Sequence, residues 1–149
     1  NLFPHLSIQK NLALALTQWP WLSFRQKQII HRALKSTELS GLEDRLPSKL
    51  SGGQLSRAAL ARILIQNRPI LLLDEPFSAL GPAQKNQMLD LVAKIAKENH
   101  LLVLLVTHDP KDAVRIAPHT ITVIDGLVSG PLETHIALDK KSGPLIKYL

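Results

Sequence analysis

Three short stretches hold residues whose types and spacing could do chemistry. The first is LSGGQ at 50–54, where Ser51 precedes the adjacent Gly52 and Gly53 and an apolar helical pattern comes next. Glycine weakens a helix it begins, because it loses more backbone freedom on folding than any other residue. A helix N-terminus with bare amides suits an anion, since unpaired N–H groups and the helix dipole both favour negative charge. The same stretch also reads as a capping box, S-x-x-Q from Ser51 to Gln54, which satisfies free N–H groups without any ligand. The second stretch is Asp74–Glu75, directly after the apolar run at 70–73. The third is Thr107–His108–Asp109, directly after the apolar run at 101–106. Two carboxylates and a histidine at the carboxyl ends of neighbouring strands suit a reaction at a metal-bound phosphate. Asp74 would hold Mg²⁺, a hard cation that prefers oxygen ligands. Glu75 would orient or deprotonate a water attacking a γ-phosphate, and His108 would donate to that phosphate. Taken singly, Asp74 and Glu75 also read as a solvated turn, and His108 as a hydrogen-bonded loop residue.

The elements that must position these residues are legible in outline. Ser7 is placed to cap a helix carrying Ile8, Leu12 and Leu16 at helical spacing. Pro20 interrupts, and Ser23 with Gln26 forms a capping-box pattern. The next helix has Ile30, Ala33, Leu34 and Thr37 on one face, and Gly41 and Pro47 punctuate the stretch after it. Trp19 and Trp21 sit in the break, either as local packing or as an anchor for a partner. From Ser51 a helix runs to about Gln66 with Leu55, Ala59, Arg62 and Ile63 along it. The continuous apolar runs at 70–74 and 101–107 predict strands buried on both faces. Pro82 opens a helix to about Asn99 with Met88, Val92, Ile95 and Ala96 facing inward. Asp109 and Pro110 start a short helix, and the strand TITVID turns at Asp125–Gly126. The alternation of strand and helix implies a parallel sheet with right-handed crossovers.

Composition bounds the partners. The 149 residues are one domain or a fragment of a larger one, with an ordinary hydrophobic fraction of 45%. Cys is absent, which excludes a disulfide framework, a thiolate metal site and a thiol nucleophile. No apolar run is long enough to span a bilayer, and the first residues lack the pattern of a signal peptide. The first residue is Asn1 rather than Met, so the chain is expected to begin inside a longer product. Lys and Arg number 18 against 12 acids, a net charge of +6, but the cations are scattered and aromatics make up only 4%. That combination argues against a nucleic-acid platform and for a basic surface facing water or anionic lipid head groups.

These motifs together resemble the ATPase subunits of ATP-binding cassette (ABC) transporters. LSGGQ (50–54) is similar to the family's signature motif, and LLLDEP (71–76) to its Walker B strand with the catalytic Glu. FSALG (77–81) resembles the D-loop and VTHD (106–109) the switch-histidine strand. The opening NLFPHLSIQKNL resembles the stretch after the Q-loop, where the helical subdomain begins and faces the membrane subunits. The pattern is most like importers of the thiamine type, with iron(III), sulfate, polyamine and molybdate importers sharing much of it. The resemblance implies an α/β fold, a partial P-loop (RecA-like) parallel sheet with helices on both faces, preceded by an α-helical subdomain. Residues 1–52 would be that subdomain and 53–149 the C-terminal part of the nucleotide-binding core. It implies ATP and Mg²⁺ as cofactors, with Glu75 and His108 catalytic and Asp74 the metal ligand. Ser51, Gly52, Gly53 and Gln54 would contact the ATP of an opposing ATPase subunit. Further partners would be membrane permease subunits, at the cytoplasmic face of the inner (cell) membrane, with no nucleic acid.

Two departures qualify this. No G-x-x-x-x-G-K-[ST] occurs in these residues, so the Walker A phosphate cradle is missing, and Gly81 stands where the D-loop usually has Asp. The expectation is an N-terminally truncated ATPase subunit, inactive by itself. The alternative is a non-catalytic partner that donates its LSGGQ face to a complete ATPase. A stand-alone metal-dependent phosphohydrolase is the third option, and nothing in the chain replaces the cradle it would need.

Overall fold

The computed structural model describes residues 2–17 and 21–139. Trp19 and Pro20, read above as an anchor and a helix interruption, lie outside the described residues. The chain divides into two units, Asn1–Leu104 and Leu105–Leu149.

In the first unit the Ser7 hydroxyl accepts from the Lys10 amide at 3.4 Å and caps α1 (Ile8–Ala13). The helix stops short of Leu16, because the amides of Ala15 and Leu16 tighten into bonds with the carbonyls three residues back. Asn11 is fully buried in α1 and fully used. Its Nδ2 donates to the carbonyls of Phe3, Leu6 and Ser7, and its Oδ1 accepts from the Phe3 amide at 2.6 Å. The N-terminal segment is thereby tied to the helix, as a buried amide requires.

The capping box at α2 (Phe24–Ser36) forms as expected, with Gln26 N donating to Ser23 Oγ and Ser23 N donating to Gln26 Oε1. Its face of Ile30, Ala33, Leu34 and Thr37 is buried as the spacing predicts. α3 (Gly52–Ile65) comes after a single 3₁₀ turn at Pro47–Lys49. The core of this unit joins Ile8 and Leu12 of α1, Ile30 and Leu34 of α2, and Ala58, Ala61 and Ile65 of α3. Each fully buried Ile or Leu there contributes about 1.5–3 kcal/mol. The inward stripe of α3 differs from the one along Leu55, Ala59, Arg62 and Ile63, since Ala59 and Ile63 are exposed. The small side chains of Ala58 and Ala61 let two neighbouring helices approach closely, so the contact selects that face.

β1 (Ile70–Asp74), α4 (Pro82–Glu98) and β2 (Leu102–Val106) make a strand–helix–strand unit in which β1 and β2 pair in parallel. Leu102 N donates to Pro69 O at 2.9 Å at the start of the pair. α4 buries Met88, Val92 and Ile95, together with Leu89 and Leu91. Burial of the strands on both faces is not what the structure shows. Leu71 and Leu73 are buried, whereas Ile70, Leu72, Leu102 and Leu104 are between 51% and 67% exposed. The described residues supply no layer over those alternate side chains, and the pleat turns every second residue outward.

The second unit is small. α5 (Pro110–Ile116) starts at Asp109 with Pro110 in its first position, as expected. The predicted third strand does not extend the parallel pair. His119–Thr120 (β3) pairs antiparallel with Leu132–Glu133 (β6), and Val123–Ile124 (β4) with Leu127–Val128 (β5). Hydroxyl pairs hold these ladders, Thr120 with Thr134 at 3.0 Å and Thr122 with Ser129 at 2.6 Å. Asp125 and Gly126 both take positive φ, 50° and 77°, as a tight hairpin of this twist demands. α6 (Thr134–Ala137) closes the unit.

Candidate functional site

The N-terminus of α3 carries the strongest site. Ser51 Oγ accepts from the Gln54 amide at 3.3 Å, and Gln54 Oε1 accepts from the Ser51 amide at 3.0 Å. The capping-box reading of LSGGQ is therefore what the structure shows. The box uses the amides of Ser51 and Gln54 and leaves those of Gly52 and Gly53, which first-turn geometry deprives of helical acceptors. Neither glycine has positive φ. A Cβ on Gly52 would meet Leu80 Cδ2 at 3.5 Å, and one on Gly53 would meet Gln84 Cδ at 4.0 Å, both ordinary contacts. Among the described residues nothing demands glycine at either position. The two free amides at a helix N-terminus fit a phosphate group.

Beside them lies a recess of about 200 Å³ lined by Ser51, Gly53, Gln54, Arg57, Gln84, Gln87 and Met88. Arg57 is one turn along α3 from Gly53 and pairs with Glu38, just past the end of α2. The sequence reading missed Arg57 and Gln84; the spacing of a cation four residues past a motif glycine was the available signal.

Asp74 ends β1 and Glu75 follows it, and the turn after them leads to Leu80 and Gln84, the side chains nearest to where a Cβ on Gly52 or Gly53 would stand. The α3 N-terminus and the β1 carboxyl end are thus joined through residues 75–84. Asp74 is exposed at the strand end, available as an oxygen ligand. Glu75 has φ of 43°, a left-handed conformation that costs energy in a residue with a side chain and gathers at functional turns. Its carbonyl is held by the Ser78 amide at 3.3 Å and the Ser78 hydroxyl at 3.1 Å. Among the described residues no three His, Asp or Glu side chains gather into a metal cage. A lone strand-end carboxylate suits Mg²⁺, which takes its other ligands from phosphate and water. Gly81 is the N-cap of α4 and supplies no side-chain cap.

His108 belongs to the second unit, in a loop clasped from below. Thr107 Oγ1 donates to Asp112 Oδ2 at 2.6 Å and accepts from the Asp109 amide at 3.1 Å. Asp109 Oδ1 accepts from the Lys111 amide at 3.0 Å. Asp112 is buried in the first turn of α5 and was not singled out from the sequence. An acid in a helix first turn, five residues past a strand-end threonine, is the pattern that identifies it.

The family model described as "ABC transporter" matches residues 1–78. The thiamine import ATP-binding protein ThiQ of Ruegeria sp. (strain TM1040) is 50% identical over 149 residues, covering 100% of this chain and 64% of that protein. Proteins of the same name from Cereibacter sphaeroides and Salmonella paratyphi A are 52% and 46% identical, covering 90% and 87% of this chain and 58% and 55% of those proteins. The chain spans about three fifths of the length of these curated relatives. A metal-chelate type ABC transporter in an inward-facing conformation superposes with a TM-score of 0.83 at 26% identity, over 93% of this chain and 56% of that one. A dimeric bacterial ABC transporter cassette superposes at 0.71 with 31% identity, over 90% of this chain and 59% of that one.

Proposed function

Because this chain belongs to the ABC transporter family, we propose that it is part of the ATP-binding, energy-coupling subunit of an importer for thiamine or a similarly small solute. The observation that carries this is the N-terminus of α3, two bare glycine amides held open by a capping box that consumes neither. Residues 1–52 act as the helical subdomain that meets membrane permease subunits, and 53–149 as the later part of the nucleotide-binding core. The site of action is the cytoplasmic face of the cell membrane; among the described residues no helix is long and apolar enough to cross it.

Bound MgATP would supply the γ-phosphoryl group and its charge. Ser51, Gly52, Gly53 and Gln54 bind phosphate oxygens of a nucleotide carried by a second ATPase subunit. Asp74 offers a carboxylate oxygen to Mg²⁺, Glu75 takes a proton from water, and His108 donates to phosphate. These three serve a nucleotide cradled by a P-loop, which the 149 residues do not contain. A second reading rests on the bare glycine amides alone: the chain acts only by presenting its α3 N-terminus to a complete ATPase.

The test is ATP turnover by a full-length thiamine-import ATPase with the chain added. Turnover rises with the wild-type chain, and Ser51→Arg, which blocks the glycine amides, removes the gain. No rise with the wild-type chain overturns the role given to α3.

A further inference from the structure

The sequence of α2, FRQKQIIHRALKS, contains Arg25, Lys27, Arg32 and Lys35 and no acid. Its inner stripe, Ile30, Ala33 and Leu34, is consumed by the helical core, which leaves the four cations on the outer side, all exposed. None of the four pairs with a carboxylate among the described residues. At the N-terminal end of the same helix stand Trp21, 81% exposed, and Phe24, 78% exposed. They are the most exposed large hydrophobic side chains among the described residues. Lys27, Gln28, His31 and Arg32 line an open depression on this face, so every side chain around it can donate a hydrogen bond.

We propose that the outer face of α2, with Trp21 and Phe24 at its end, docks on the surface of an anionic phospholipid bilayer. Water does not favour two open aromatic rings, and a partner that covers them gains their apolar area. The partner must also accept four unpaired cations along one helix. The bilayer interface offers both in the right order: negatively charged head groups outside, and the acyl boundary just beneath, where Trp is at home. The 13-residue helix is about 20 Å long and lies along the head groups while the two rings reach inward at one end. The depression between Lys27 and Arg32 receives a lipid phosphate. The contact needs neither nucleotide nor permease, so it stands apart from the ATPase assignment.

Flotation of the full chain with vesicles tests it. The chain floats with vesicles of phosphatidylcholine and phosphatidylglycerol in equal parts, does not float with phosphatidylcholine alone, and is released by high salt. K27Q with R32Q weakens partitioning about 25-fold, at roughly fivefold per cation. W21A with F24A also weakens it, while circular dichroism shows both variants folded, as expected for exposed positions. K94Q with K97Q, on the exposed side of α4, changes it less than about twofold. Equal losses from the α4 and α2 cation variants overturn the proposal in favour of diffuse charge. An unaltered partition with W21A and F24A overturns it, as does failure to float with the anionic vesicles. Binding to soluble polyglutamate but not to vesicles assigns the face to an acidic protein segment, and overturns it too.

Discussion

Gly52 separates what a residue does for its own fold from what it does for a ligand. Its backbone is not in the left-handed region and its missing Cβ is not needed for space, so the chain would tolerate alanine. Gly52→Ala should leave the fold intact and raise stability by about 0.4–1 kcal/mol through lost unfolded-state entropy. The same change should lower the turnover gain seen with a complete ATPase, because a methyl group then stands over the amide offered to phosphate. Urea unfolding and the mixing assay read the two effects separately; an undiminished gain would mean that bare backbone is not required there. Ser51 and Gln54 were legible because a capping box is local. Arg57 was not, because its partner Glu38 lies 19 residues away and only folding brings the two close.

At the scale of elements, the helix starts were the most readable features, since each cap is a contact over three or four residues. Ser7, Ser23, Ser51 and Asp109 all cap the helices assigned to them. α4 is the exception in kind, with Gly81 at its N-cap and no side-chain acceptor. Nothing lies within 4 Å of a Cβ built on Gly81, and its φ of −63° suits any residue. Gly81→Asp should therefore cap α4 and raise stability by about 0.5–1 kcal/mol, from the cap and the stiffer unfolded chain. A higher urea midpoint with unchanged slope is the expected result, and a lower midpoint contradicts it. Strand ends were less readable. An apolar run reads as buried on both faces, but whether a second layer covers it is a property of what packs there.

For the molecule as a whole, β1 and β2 leave alternate apolar side chains open, and the chain spans about three fifths of its curated relatives. The 149 residues contain no phosphate cradle. Calorimetry on the purified chain should accordingly show no heat of binding for ATP with Mg²⁺, and a micromolar dissociation constant would refute this. The sequence by itself determined the capped helices, the two apolar strands, the order of the motifs and hence the family. Those are encoded in neighbours along the chain, where periodicity and spacing suffice. Only the tertiary structure decided that α3 turns Ala58 and Ala61 inward, that both strands show one apolar side to solvent, and that residues 119–133 leave the parallel pair for antiparallel ladders. Each of these depends on which surface is available to cover another, and that is a relation between distant segments that no single stretch of sequence contains.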